Sequence, residues 1–263
     1  PGSVPGWGGW VGGSTNCAVA RVPGKGVFQG WFGMADAMMG ETGMVIVDAV
    51  LVEDRMSIGQ ALADRKLSTG GSGIALGLPQ NFDLSENKTP FVGRPGPGVV
   101  LSGSCSIATG GQVSRYKERA QSFELEAEQL MQGAYDLHRL AEWVLEQDQP
   151  PLVYSSADPA VVAATQEQFG GSVIAEKIET LFSDLAAVLA ERGVERIVVA
   201  GGETSGAVVT GLSADILAIG PRISAGVPAV SVSGRQLNIA LKSGNFGDVD
   251  FFSKALKVLG GAS

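Results

Sequence analysis

At 263 residues, with 44% hydrophobic and 17% charged side chains, the chain has the composition of one large or two modest globular domains, not of a disordered segment. Its formal charge of −8 offers no basic face and argues against a nucleic-acid partner. No apolar run approaches the ~20 residues needed to span a bilayer, and the start lacks the basic-then-apolar pattern of a secretory signal, so no membrane association is expected.

Two cysteines, Cys17 and Cys105, make neither a disulfide framework nor a metal spacing, and a reducing cytoplasm is the expected compartment. The single histidine, His138, cannot build a two-histidine zinc site; in its polar helical context it reads as a surface residue without chemistry. No metal-ligating set is identified. Cys105 reads as a small buried residue, because no second histidine could serve it as a base.

Taken in chain order, residues 1–22 are glycine- and tryptophan-rich without periodicity and are expected to be irregular. MVIVDAV, from Met44, is a continuous apolar run of the kind found in buried parallel strands. RMSIGQALADRK follows with helical spacing, placing Ile58, Ala61 and Leu62 on one face, and LSTGGSGIALGL is a glycine-rich turn entering a small-residue helix. Residues 83–98, polar and proline-rich, are the expected linker between an N-terminal domain (1–90) and a C-terminal one (96–263). Beyond it, VVLSGSCSIATGGQVSRYKERA reads as strand, tight turn and helix. The pattern then predicts a long amphipathic helix over 122–147, a strand at PLVYSS, a helix over 171–192, a strand at RIVVAGG, a helix at TSGAVVTGL, strands at DILAIGP and LNIALKSGN, and a closing helix at DVDFFSKALKVL. This alternation implies an α/β fold, a mostly parallel sheet with helices on both faces.

In such a sheet the ligand sits beyond the carboxyl ends of the strands. Four turns there combine glycines and hydroxyls: Thr69–Gly73 (with Gly70, Gly71 and Ser72), Ser102–Ser106, Gly201–Ser205 and Lys242–Gly247. Glycine admits close backbone approach, and the N–H groups of a first helical turn attract anions, so phosphate can be held with little help from arginine. SGSCS lacks the glycine of a nucleophile elbow, GGSGIALG misses the dinucleotide spacing by one residue, and no Walker lysine follows a glycine loop. Lys242 reads equally as a phosphate contact and as a strand-end lysine reaching solvent.

GSCSIATGGQV, VVAGGETSGAVV and IALKSGNFGDVDFFSKAL, in this order, resemble the nucleotide-binding C-terminal domain of the four-carbon acid sugar kinases over roughly residues 96–260, and the pairing of GGETSG at 201–206 with LKSGNFG at 241–247 is specific. Upstream, VDAVLVEDRMSIGQALADRKLSTGGSGIALGLPQNF resembles the 3-oxo-tetronate kinase branch. The resemblance implies ATP-dependent phosphorylation of the terminal hydroxyl of a four-carbon sugar acid, 3-oxo-tetronate before threonate or erythronate, with ATP and Mg2+ as cofactors. It places ATP contacts at Gly201, Gly202, Glu203, Thr204 and Gly244, and at one of Ser102, Ser104 and Ser106, with Ser104 preferred. Backbone N–H groups of Thr69, Gly70, Gly71, Ser72 and Gly73 are the expected anchor for the substrate carboxylate. Two features of the family do not appear: its opening aspartate pair with the threonine-glycine that follows, and its lysine-rich segment running into aspartate-serine-threonine. Residues 23–44 resemble an altered substrate-domain segment, with Lys25 and Trp31 at positions of arginine and histidine. The catalytic base is therefore unassigned, with Asp48 and Asp54 the nearest acids. An ATP-binding module without catalysis stands as the alternative, a nicotinamide oxidoreductase is disfavoured by the glycine spacing, and pairing into a homodimer is left open.

Overall fold

Three neighbouring strands carry the architecture: β3 (Gly98–Ser102), β6 (Arg196–Ala200) and β9 (Asn238–Lys242), all parallel and nearly all buried. In this computed structural model the described residues are 19–22, 44–85, 90–155 and 171–261. The chain forms two compact units, Pro1–Lys88 and Thr89–Ser263. The predicted substrate-domain segment with Lys25 and Trp31, and Cys17, lie outside the described residues, as does most of the opening stretch expected to be irregular.

In the second unit, seven strands follow the order β4-β5-β3-β6-β9-β8-β7. They include β4 (Ser122–Leu125), β5 (Leu152–Ser155), β7 (Leu217–Ser224) and β8 (Val227–Val232). The strands from β4 to β9 in that order are parallel, while β8 runs antiparallel to both β9 and β7. Alternation along β3 and β6 divides the core. Val99, Leu101, Ile197 and Val199 face α4 (Leu137–Leu145), α5 (Gly171–Glu191) and α6 (Gly202–Gly211). Val100, Val198 and Ala200 face α2 (Ile107–Lys117) and α7 (Phe251–Leu259). The sheet is thus an α/β sheet covered on both faces, as the alternating pattern implies. Among the described residues no helix is long and apolar enough to cross a membrane.

Two expectations are corrected here. Residues 122–147 are not one helix: Ser122–Leu125 pairs with β5 as an edge strand, then come the short α3 (Ala127–Met131) and α4. Gly133, with φ +67°, ends α3, and the Asp136 carboxylate caps α4 by accepting from the His138 and Arg139 N–H groups. The strand β8 was not expected at all; it forms a hairpin with β7 through Gly226, whose φ is +74°.

In the first unit, β1 (Val19–Val22) pairs parallel with β2 (Met44–Val47), so the irregular stretch expected over 1–22 gives way to a strand at its end. β2 is exposed at Met44 and half-buried beyond, not a fully buried strand. Helix α1 (Val52–Ala61) buries Ile58, with Leu62 just after it. The expected small-residue helix is instead two consecutive 3-10 turns, Ser72–Gly77 and Pro79–Phe82. Their backbone lies directly on α1: a Cβ on Gly59 would come within 2.4 Å of Gly77 backbone atoms.

Candidate nucleotide-binding site

The register of the central strands builds the site. Ser102 pairs with Ala200 and Ala200 with Lys242, so three strands end on one row. The turns that follow them, Gly103–Cys105, Gly201–Glu203 and Ser243–Gly244, line a cleft of about 630 Å³. It lies between β3 and β6. Their helices leave to opposite faces of the sheet, which is where open α/β sheets place ligands. Helices α2 and α6 begin at this rim and direct their N-terminal ends to it. Among the described residues no lysine or arginine lines the cleft, and Glu203, exposed in the first turn of α6, is the one carboxylate that does.

The glycines are there for space. Gly201 has φ +128°, and a Cβ on it would fall 2.7 Å from Thr204 Oγ1. A Cβ on Gly244 would fall 2.6 Å from Ser104 Oγ and 2.9 Å from Ser106 Oγ. Gly202 differs: it is exposed, and a Cβ there meets nothing within 4 Å.

The three candidate serines separate by position. Ser102 is buried at the end of β3. Ser106 caps α2: its Oγ accepts the Thr109 N–H at 3.2 Å and donates to the Gly244 carbonyl at 2.6 Å. Ser104 alone of the three lines the cleft. Thr204 is buried with its hydroxyl against Gly103 and Gly201, beneath the cleft surface. Cys105 is exposed on the cleft wall, not buried as expected, and desolvation holds its thiol above the usual range, which disfavours a thiolate nucleophile. His138 is exposed on α4 with Nδ1 3.1 Å from Arg192 Nη2.

Lys242 takes neither of the two orientations the sequence left open. Its side chain is buried, 1% exposed, with Nζ donating to Thr109 Oγ1 at 2.9 Å, the Ser243 carbonyl at 3.1 Å and the Gly244 carbonyl at 2.9 Å. Burial pushes its pKa down to about 8. Thr109 in turn donates to the same Gly244 oxygen at 2.8 Å. One helical turn on, Gln112 Nε2 lies 2.9–3.1 Å from the carbonyls of Phe246, Gly247 and Asp248. Sequence reading passed over Thr109 and Gln112, although each follows the one before, from Ser106 on, by three residues and so lies beside it on α2.

The fourth turn belongs to the first unit. There, Ser68–Gly71 and Gly73 line a cleft of about 650 Å³ with an apolar floor from β2 and α1. Arg55 and Arg65 also line it, and a Cβ on Gly73 would lie 3.1 Å from Arg55 Nη1. Of the predicted carboxylate anchor, Thr69, Gly70, Gly71 and Gly73 face this cleft, whereas Ser72 opens the 3-10 turn and is not part of its lining. The two arginines were missed, because basic residues at a helix centre and after its end carry no motif. Asp54 is spent as a cap: its carboxylate accepts the Val50 and Leu51 N–H groups at 2.8 and 2.7 Å, which hold it below its ordinary pKa.

Residues 99–252 match the family of nucleotide-binding C-terminal domains. The chain is 42% identical over 222 residues to a 3-oxo-tetronate kinase of Brucella melitensis, covering 81% of this chain and 51% of that protein. It is 43% identical over 226 residues to one of Cupriavidus necator, covering 83% and 52%. The chain therefore spans about half the length of the curated relatives it matches. Among solved structures, Haemophilus influenzae protein HI1011 is similar at a TM-score of 0.69 and 34% identity, over 93% of this chain and 61% of that one. A Salmonella typhimurium LT2 crystal structure is similar at a TM-score of 0.75 and 36% identity, over 93% and 60%. With its three strand-end turns in place and relatives of this kind along most of its length, the chain belongs to the four-carbon acid sugar kinase family, whose nucleotide-binding C-terminal domain makes up its second unit.

Proposed function

We propose that this chain is the nucleotide-binding part, with a portion of the acid-binding part, of a cytoplasmic ATP-dependent kinase that phosphorylates the terminal hydroxyl of a four-carbon sugar acid, with 3-oxo-tetronate preferred over threonate and erythronate. The observation that carries the reading is the meeting of three glycine- and hydroxyl-bearing turns at the ends of β3, β6 and β9. ATP phosphates would lie against the backbone of Gly201, Gly202 and Gly244 and the Ser104 hydroxyl, with charge offset by the N-terminal ends of α2 and α6. Glu203, which would repel phosphate directly, suits a ribose hydroxyl or a magnesium-bound water. Thr204 would support the turn from below. Mg2+ would arrive on the phosphates, where Glu203 could take one of its bound waters. Bound there, it would neutralise charge on the transferring phosphoryl group; the chain's own part is positioning.

The first-unit cleft would take the sugar acid, its carboxylate facing Arg55 and the N–H groups of Thr69–Gly73. Gly71 tests this, because a Cβ there meets nothing within 4 Å. Gly71→Val should raise the KM for the acid about tenfold and leave ATP affinity unchanged, while an unaltered KM removes the turn from the site.

A second reading, nucleotide binding without turnover, is favoured by Asp54, which is capped and not poised as a base. Thermal-shift measurements with ATP–magnesium, ADP and NAD test the binding shared by both readings: ATP and ADP should raise Tm and NAD should not. An ADP-release assay with four-carbon sugar acids then separates them, because turnover supports the kinase and its absence leaves the binding module.

A further inference from the structure

The Gly244 carbonyl oxygen is where the cleft's two sides are tied together. Three side-chain donors converge on it: Lys242 Nζ at 2.9 Å, Ser106 Oγ at 2.6 Å and Thr109 Oγ1 at 2.8 Å. Two of these come from the first turn of α2, which follows β3, and the third from the end of β9. The carbonyl's turn therefore cannot shift without breaking bonds to a second element. Lys242 also grips the Ser243 carbonyl and Thr109 Oγ1, so the three N–H bonds of one ammonium meet three oxygens. It is buried behind Gly244, and the cleft is lined by Ser243 and Gly244 but not by Lys242. An ammonium taken out of water this completely is costly unless each of its donors is met, and here all three are.

We propose that Lys242, with Thr109, is a positioning residue for nucleotide binding: it holds the Ser243–Gly244 turn against Ser104 without touching the nucleotide. The proposal rests on the reading of this cleft as the nucleotide site. Lys242 acts by geometry as much as by charge. An arginine keeps the charge but spreads its donors over a planar fork, and cannot present three diverging N–H bonds from one atom. The turn's backbone, once fixed, costs no ordering when the phosphate arrives, which is where the gain in affinity originates.

The test is calorimetric titration of ADP into the chain and its Lys242→Met, Lys242→Arg, Thr109→Val and Thr109→Ser variants, with Tm measured for each. Leu185→Ala, a cavity in the opposite core layer, serves as a control for lost stability alone. Lys242→Met, Lys242→Arg and Thr109→Val should each weaken ADP binding about tenfold, Thr109→Ser should retain it within about threefold, and Leu185→Ala should lower Tm without changing affinity. Because Lys242 and Thr109 hold the same oxygen, the double variant Lys242→Met with Thr109→Val should bind little worse than either single one. Lys242→Met binding within about twofold of wild type overturns the proposal, as does a loss matched by Leu185→Ala at equal Tm. Lys242→Arg binding like wild type also overturns it, because charge alone would then suffice. If Lys242→Met does not fold, the Thr109 pair decides in the same way. No ADP binding by the wild-type chain fails the nucleotide reading itself, and that outcome is distinct from wild-type binding that the variants leave intact.

Discussion

Lys242 carries a cost that pH exposes. Its folded pKa of about 8 lies below the 10.5 of a free lysine, so between those values the unfolded chain binds a proton that the folded chain has released. Stability should therefore rise with pH from about 8 toward 10.5, with a ceiling of about 3 kcal/mol at 1.36 kcal/mol per unit. Tyr116, pushed up to about 12 by burial, works the other way above pH 10, where the unfolded phenol ionises first. Urea denaturation at pH 7.5 and 9.5 should thus show wild type gaining relative to Lys242→Met; equal slopes would mean that the ammonium is not desolvated in the folded state. The lysine's position was legible at the end of the apolar run LNIAL, but its direction was not. A lysine closing a strand looks the same in sequence whether it reaches solvent or turns inward, and one of the partners that receive it inside, Thr109, lies more than a hundred positions away. The glycines were more readable, because Gly201 answers a local need: a φ of +128° and room for Thr204 one turn on.

Among the elements, α2 has the most to hold. Its cap, Ser106, both closes the helix and restrains the Gly244 turn, so Ser106→Ala should lower stability by about 1 kcal/mol and weaken ADP several-fold less than Lys242→Met does. Denaturation together with ADP titration checks both parts; unchanged stability would show that the cap contributes nothing measurable. Elements with one strong period were legible. RIVVA, NIALK and the helix over 171–191 lie where pattern put them, because burial on both faces writes a continuous apolar run. The stretch 122–147 was not legible, since SFEL at a sheet edge is half-exposed and its partner β5 lies beyond two helices. Strand β8 was hidden for a similar reason: VPAVSV contains a proline and pairs antiparallel, against the parallel expectation.

At the scale of the molecule, sheet order turns scattered motifs into a site. SGSCS, GGETSG and LKSGNFG are far apart in sequence, and each alone is ordinary strand-helix punctuation. The order β3-β6-β9 makes them neighbours, and the register ends them on one row. The three turns could be named from sequence, but their convergence needed the order of the strands, which no local pattern carries. The fourth turn, Thr69–Gly73, belongs to the other compact unit and lines a cleft of its own. The central claim is that the cleft of β3, β6 and β9 holds the nucleotide, and Gly202 is the position that tests it most directly. A side chain at Gly202 meets no atom within 4 Å, so Gly202→Val should fold normally while placing its methyl groups in the cleft. Calorimetric titration of ADP into wild type and Gly202→Val should give saturable binding in the first and at least about tenfold weaker binding in the second, at closely similar Tm. Equal binding by the two proteins, or none by the wild type, would contradict it.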